Sequence, residues 1–111
     1  MRKKLVGWKL VFPVKGELWS LVICAHGCVE YKKNRVTKPK EHCGPLCLFS
    51  NEADAWSYSR GFSFELWKVL YTPSDETRIW VDGQDKIPVV YRVPKGTVLA
   101  SSITLKERVM L

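Results

Sequence analysis

The sequence predicts a single α+β domain spanning residues 1–111, with a mainly antiparallel twisted sheet of five to seven strands and one helix packed on it. Three observations lead to this prediction. Short runs of alternating apolar and polar residues have the period of half-buried strands. One capped helix start occurs, at residues 50–54. The length of 111 residues, 46% of them apolar, suits one domain with its own core.

The amino-terminal third predicts an antiparallel hairpin. From residue 5 onward, apolar residues recur at every second position, which indicates a strand with one buried face. Lys15-Gly16 forms a turn, and residues 17–24 are rich in β-forming side chains. A further short strand is expected at residues 28–31.

A basic loop, residues 31–42, follows. It carries five Lys/Arg within residues 32–40 and has no apolar period, which predicts an exposed connection. The apolar run at residues 46–49 then predicts a short buried strand.

The helix is expected to begin after Ser50 or Asn51, either of which is a suitable cap, and to end near residue 60 before Gly61. Acidic residues in its first turn suit the positive end of the helix dipole. The side chains expected on one packing face are Ala53, Trp56, Ser57 and Arg60.

The remaining residues predict strands only. A strand is expected at residues 65–71, with a turn at 73–75. Residues 78–81 and 87–93 predict a second hairpin, in which Pro88 indicates an edge strand. After a turn at Lys95-Gly96, residues 97–109 supply one or two closing strands.

Positive charge is concentrated near the amino terminus. The formal net charge is +7, and residues 1–40 hold ten Lys/Arg against two Asp/Glu, a net of +8. Such a concentration is typical of a surface that meets an anionic partner, although net charge also keeps a small protein soluble. The candidate anion-binding residues are those of the basic loop and the amino terminus: Tyr31, Lys32, Lys33, Arg35, Lys38, Lys40, Arg2, Lys3 and Lys4.

Aromatic side chains are the second candidate contact feature. The sequence has five Trp residues, and an exposed ring at Tyr31, Trp8, Trp19 or Trp56 would stack on nucleic-acid bases, at about 1–3 kcal/mol per base. The same rings would serve as anchors for a protein partner. The alternative is that the tryptophans fill the core.

Two stretches resemble a known group of proteins. Residues 44–49 read Gly-Pro-Leu-Cys-Leu-Phe and lead into the helix, and residues 93–100 read Val-Pro-Lys-Gly-Thr-Val-Leu-Ala. This strand–helix unit followed by a Pro-x-Gly-Thr turn resembles small uncharacterised α+β proteins encoded in phages and prophages. The resemblance implies a compact α+β fold and a viral origin, and it carries no activity and no functional residue. It also implies ordinary apolar residues at the positions of Cys28 and Cys47, against a metal role for them.

The cysteines form two Cys-x₃-Cys pairs separated by fourteen residues: Cys24, Cys28, Cys43 and Cys47. This spacing is permitted for zinc, and His26 and His42 lie beside the pairs. Cys24 and Cys47 lie in apolar runs, where cysteine behaves as a small hydrophobe. We therefore expect buried thiols with no metal or cofactor, and a small zinc-stapled domain is the alternative.

No set of residues suggests catalysis, so we expect a protein that is not an enzyme. His26 lies two residues from both Cys24 and Cys28, which allows a Cys–His pair. No group that would orient the base or stabilise an oxyanion accompanies it. Glycine loops that cradle phosphates are absent from the sequence.

The chain is expected to be cytoplasmic, in the host cytoplasm if it is phage-encoded. The longest apolar run, residues 18–25, is shorter than the roughly 20 residues of a membrane-spanning helix. Lys9, Pro13 and Lys15 interrupt what would otherwise imitate a signal peptide.

Taken together, these patterns predict non-enzymatic binding of an anionic partner, nucleic acid or a nucleotide, through the basic loop and the amino terminus. The alternative is a phage-type interaction protein that inhibits a host defence protein through basic and aromatic side chains. A homodimer that pairs edge strands at residues 87–91 is also open.

Overall fold

The strands and the helix follow one another along a single chain. The computed structural model describes residues 3–20, 29–41, 43–59, 64–82, 88–91 and 94–110, with the backbone alone described at 79–82 and 88–91. The elements are β1 (Leu5–Val14), β2 (Glu17–Ser20), β3 (Glu30–Tyr31), β4 (Val36–Thr37), β5 (Leu46–Phe49), α1 (Glu52–Ser59), β6 (Glu65–Pro73), β7 (Ile79–Asp82), β8 (Pro88–Tyr91) and β9 (Thr97–Val109). Seven strands form one antiparallel sheet with the helix beside it, which confirms the predicted α+β class. β7 and β8 pair separately, as the predicted second hairpin.

The strand pairings of the large sheet close into a ring. β1 pairs with β6 along one edge and meets β5 on the other, where Trp8 pairs with Phe49. β9 likewise pairs with β6 on one edge and with β5 on the other. β2 and β3 extend the sheet from β1, and β4 pairs with β9. Alternate residues of each strand therefore face the inside or the outside of the ring.

The inner face holds the larger apolar cluster. Its members come from β1, β3, β5, β6 and β9, and they are Val11, Tyr31, Leu46, Leu48, Trp67, Val69, Tyr71, Ala100, Ile103 and Leu105. Each large side chain buried in this way stabilises the fold by about 1.5–3 kcal/mol. The ring of strands is consequently filled by side chains from all the strands that build it.

The outer face of β1, β5 and β6 carries a second cluster, on which α1 packs. Its buried members are Leu10, Phe49, Ala55 and Leu66. The helix begins where the sequence predicts, because the Oδ1 atom of Asn51 accepts a 2.8 Å hydrogen bond from the backbone N–H of Asp54. The cap and the acidic first turn fix the start of the helix beside β5.

The predicted packing face of the helix needs correction. Ala55 is fully buried, whereas Ala53 and Ser57 are exposed and Trp56 is half-buried. The small Ala55 lets the helix approach the outer cluster closely, and Trp56 lies at the rim with its indole N–H donating to Glu52. Arg60, the fourth predicted member, lies outside the described residues.

Two strand boundaries also differ from the predictions. The basic loop contains β4, which pairs with β9. β6 continues through Pro73 rather than turning there. The closing segment is one strand, β9, which confirms the prediction of one or two strands at residues 97–109. Within the described residues, the structure contains no helix with the length and apolar character needed to cross a membrane.

Candidate functional site

The strand register aligns residues that lie far apart in the sequence. One row across four neighbouring strands, β1, β6, β9 and β4, consists of Leu5, Tyr71, Ile103 and Thr37. Tyr71 and Ile103 belong to the inner cluster, so this row faces inward. Beyond this row, Thr72 pairs with Ser102, and both face outward because adjacent residues of a strand alternate between faces. Lys4 comes one residue before β1 and Lys38 one residue after β4, and both are exposed. We call Lys4, Thr72, Ser102 and Lys38 the outward row.

The adjoining outward row is apolar at three of its four positions. It consists of Val6, Leu70, Thr104 and Val36, each paired with the next across the strands. Val6 is 47% exposed and Val36 is 55% exposed. The helix α1 packs farther along the outer face, on Leu10 and Leu66. This part of the outer face therefore reaches solvent.

Two further lysines lie beside the apolar row. Lys68 pairs with Trp8 on one side and with Glu107 on the other, and it is exposed. Lys106 is the extra residue of a bulge in β9. It lies between Glu107, the partner of Lys68, and Leu105, the partner of Val69. We call this set of residues the basic face: Lys4, Val6, Val36, Lys38, Lys68, Leu70, Thr72, Ser102, Thr104 and Lys106. The exposed Glu107, which pairs with Lys68, is its acidic member.

The basic loop is anchored along the edge of β9, next to the basic face. Its turn is closed by a 3.1 Å hydrogen bond from the Arg35 N–H to the Lys32 carbonyl, with Asn34 at φ 63°. The Asn34 N–H donates to the Leu105 carbonyl at 2.9 Å, beside the bulge that holds Lys106. Lys32, Lys33 and Arg35 are all exposed there. Lys38 directly follows β4 and lies at the same end of the sheet as Lys4.

The positive charge of this region is not neutralised by ion pairs within the described residues. Lys3, Lys4, Lys38, Lys40 and Lys68 are exposed. The ion pairs between described side chains join Glu76 to Arg78 at 3.2 Å and Glu65 to Arg108 at 3.8 Å, and neither includes one of these lysines. Glu107 is the acidic residue in line with Lys68. Of the predicted anion-binding residues, Arg2 lies outside the described residues.

Tyr31 does not belong to this surface, contrary to the prediction. Its ring is 1% exposed and packs in the inner cluster, so it is not available to stack on a base. The predicted stacking tryptophans are partly buried as well. Trp8 of β1 and Trp56 of α1 pack against the outer cluster, and Trp19 is half-buried in β2. Among the described residues, these four aromatic side chains are thus at least partly buried.

A polar group lies inside the ring where the sequence predicts none. Lys9 is 5% exposed, its ammonium lies 5.4 Å from the centroid of the Tyr31 ring, and it donates a 2.6 Å hydrogen bond to the Cys47 carbonyl. Burial lowers the pKa of Lys9, and Cys47 opposes this shift. Burial also raises the pKa of the Cys47 thiol and that of the Tyr31 hydroxyl. We assign this group a role in stability, because it is closed off from solvent.

The described residues give no support to a metal site. Cys24, His26, Cys28 and His42 lie outside them, so neither the predicted zinc set nor the Cys–His pair is described as a whole. Cys43 follows a turn and Cys47 lies in β5, both partly buried. Within the described part of the chain, no three His, Cys, Asp or Glu residues are grouped closely enough to hold a metal ion.

The sequence did not single out Lys68 and Lys106 as surface candidates. The signal for Lys68 was present, because it alternates with the apolar Trp67 and Val69 along one strand. Its neighbours across the sheet, however, depend on strand pairings that local patterns do not reveal.

Comparison with protein-family models, with curated proteins and with solved structures finds no match to the chain. The resemblance to phage and prophage proteins thus stays a prediction.

Proposed function

We propose that this protein binds nucleic acid, without catalysing a reaction, through the basic face and the adjoining turn of the basic loop. The observation that supports this most strongly is that the exposed Lys4 and Lys38 extend the strands on either side of the Thr72–Ser102 pair: Lys4 precedes Leu5, which pairs with Tyr71, and Lys38 follows Thr37, which pairs with Ile103. The outward row combines two exposed ammonium groups with two hydroxyl groups, and both kinds of group are common partners of phosphate oxygens.

The geometry suits contact with several phosphates at once. Three strand spacings separate Lys4 from Lys38, about 14 Å measured around the curved outer surface of the ring at roughly 4.8 Å per strand. Lys68 and Lys106 lie farther along the same face, and Lys32, Lys33 and Arg35 stand beside it. Neutralising several phosphates releases condensed counterions, which drives binding and makes it strongly dependent on salt.

Fluorescence anisotropy with a labelled oligonucleotide tests this proposal. For contact with four or more phosphates, we expect affinity to fall on the order of a hundredfold between about 50 and 200 mM salt. Lys4→Ala/Lys38→Ala is expected to weaken binding. The matched control, Lys15→Ala/Lys95→Ala, removes the same charge from the β1–β2 turn and from the turn before β9, and it is expected to bind more tightly than the first variant.

Two results would contradict the proposal. One is the absence of binding at about 50 mM salt, where electrostatic affinity is strong. The other is an equal loss of affinity in the two double variants, which would mean that net charge acts without a defined face. Displacement of the oligonucleotide by micromolar mononucleotide would reassign the face to nucleotide binding.

A second candidate function is inhibition of an acidic host protein. The exposed Val6 and Val36 favour it, because an apolar centre with a polar rim is the usual anatomy of a protein interface. Val6→Ser/Val36→Ser separates the two functions. Unchanged nucleic-acid affinity in this variant supports the first proposal. The second proposal is supported if the wild type does not bind the oligonucleotide and the variant loses binding to a purified host partner.

A further inference from the structure

The outward positions of β1, β2 and β3 form a second surface, separate from the basic face. Phe12 of β1 pairs with Trp19 of β2, and Trp19 pairs with Glu30 of β3. On the neighbouring positions, Leu18 pairs with Tyr31, which belongs to the inner cluster, and Leu18 packs against that cluster. Because adjacent residues of a strand alternate between faces, the row of Phe12, Trp19 and Glu30 faces outward.

Apolar side chains on this second surface reach solvent. Phe12 is 43% exposed, and Val14, two residues farther along β1, is 38% exposed. Trp19 is half-buried beside Phe12. The ring centroid of Phe64 lies 5.8 Å from that of Phe12, and Phe64 itself packs against the outer cluster. Exposed apolar side chains grouped in this way are typical of an interaction surface.

The charged side chains on these strand positions are carboxylates. Glu30 ends the outward row, and the exposed Glu17 pairs with Val14 on the next outward positions. Neither carboxylate takes part in an ion pair between described side chains. The nearest lysines along the chain are Lys15, in the turn between β1 and β2, and Lys32, which follows β3. We call Phe12, Val14, Glu17, Trp19 and Glu30 the acidic face.

The acidic face and the basic face complement each other. The basic face presents Val6 and Val36, which are 47% and 55% exposed, together with the exposed Lys4 and Lys38. Apolar contact combined with opposite charges favours one partner and one orientation at an interface. Both faces are built on strands of the same seven-stranded sheet, which keeps them apart within one chain. They therefore meet only between two chains.

We infer that the acidic face of one copy of this chain binds the basic face of a second copy. The carboxylates of the acidic face meet the lysines of the basic face, and the exposed apolar side chains of the two surfaces pack together. The contact joins two different surfaces, so each assembly keeps one unused face of each kind, and further copies add to an open chain or close a ring. Because the contact covers the basic face, it competes with nucleic acid bound there under the proposed function.

Sedimentation equilibrium of the full chain tests this inference. At about 50 mM salt, we expect the weight-average mass to rise above the 12.8 kDa of one chain as the protein concentration increases toward about 1 mM, since a small interface gives weak association. Raising the salt to about 500 mM is expected to lower this mass, because salt screens the opposite charges. A mass of one chain at every concentration, or association that does not respond to salt, would overturn the inference.

Two double variants show which faces meet. Phe12→Ser/Glu30→Gln alters the acidic face and Val6→Ser/Lys38→Ala alters the basic face, and each variant alone is expected to stay monomeric. An equimolar mixture is expected to form a dimer, because each variant supplies the face that the other has lost. This recovery also shows that both variants are folded. The control Lys95→Ala, which removes a charge from the turn before β9, is expected to associate as the wild type does.

The mixture separates this contact from a symmetric one. If the wild type associates but the mixture stays monomeric, one face binds its own counterpart and the inference is wrong. A wild type that binds an oligonucleotide but remains monomeric would overturn self-association and leave the proposed function intact. A wild type that associates but binds no oligonucleotide would overturn the proposed function and leave this inference standing.

Discussion

The side-chain ammonium of Lys9 donates a 2.6 Å hydrogen bond to the backbone carbonyl oxygen of Cys47 inside the ring of strands. Within the described residues, β1 and β5 share a single backbone pair, Trp8 with Phe49. The lysine therefore supplies a hydrogen bond at a place where these two strands do not pair. A buried carbonyl without a partner would cost free energy, which the lysine avoids.

Removing this lysine is expected to change how stability depends on pH. Burial lowers the pKa of Lys9 from the ordinary value of 10.5. Between the lowered pKa and 10.5, the unfolded chain binds more protons than the folded protein, so the free energy of unfolding rises with pH in that window. This stability is lost as the pH falls from 10.5 through the lowered pKa of Lys9, where the buried amine becomes charged.

Lys9→Met is the variant that checks this prediction, with Lys15→Met, a change at an exposed lysine, as control. Urea denaturation at several pH values is expected to show a smaller rise of unfolding free energy with pH in Lys9→Met than in the wild type and the control. Identical pH profiles for all three proteins would mean that Lys9 does not titrate in the way its burial requires.

The hydroxyl group of Tyr31 is a second buried polar group, and it has no hydrogen-bond partner in the described structure. Leaving such a group unsatisfied costs about 1–3 kcal/mol. Tyr31→Phe is therefore expected to raise the free energy of unfolding by up to this amount in chemical denaturation. Tyr71→Phe is a suitable control in the same cluster and is expected to change stability less. A clear loss of stability in Tyr31→Phe would show that the hydroxyl does have a partner.

Gly7 precedes Trp8, the residue of β1 that pairs with β5, and it has no room for a side chain. A Cβ atom at this position would lie 2.5 Å from Cδ1 of Leu48 and 3.1 Å from the Phe49 carbonyl oxygen. Gly7→Ala is therefore expected to cost about 1–3 kcal/mol through overpacking. Thermal and chemical denaturation measure the effect. A variant as stable as the wild type would mean that the two strands are farther apart than the structure indicates.

The turn of the basic loop is expected to be dispensable for folding. Lys32, Lys33 and Arg35 are exposed and form no ion pair with a described carboxylate. Replacing all three with Ala is expected to change stability by no more than about 0.5 kcal/mol per residue. The melting temperature of this variant checks the prediction. A large decrease would indicate that these side chains support the contact between Asn34 and β9.

Local patterns predicted the individual elements well. β5, the Asn51 cap of α1 and β6 follow from short-range alternation and capping chemistry, which need no knowledge of distant residues. The closure of the ring was not predicted, because it depends on pairings such as that of Leu5 with Tyr71 and of Tyr71 with Ile103. Such long-range contacts leave no local signal in one sequence.

The candidate site was predicted only in part, again because contacts between distant strands leave no local signal in the sequence. Composition identified Lys38 and the amino-terminal lysines, but only the register shows that Leu5 and Thr37, the strand residues next to Lys4 and Lys38, lie in one row. Two predictions of burial failed in opposite directions. Tyr31 precedes a charged stretch yet lies in the core. Lys9 lies on the face of β1 that the alternation marks as polar, but this face meets the filled inside of the ring rather than solvent. Alternation of apolar and polar residues shows that a strand has two different faces, but it does not show which face is exposed to solvent.

The salt dependence of nucleic-acid binding tests the central claim most directly. Observed affinity for a labelled duplex is measured across a series of salt concentrations for the wild type and for Lys4→Ala/Lys38→Ala. We predict a linear decrease of log K with log salt for the wild type, and a slope less steep by about two in the double variant. A wild-type affinity that does not respond to salt, or identical slopes in the two proteins, would contradict phosphate binding by this face.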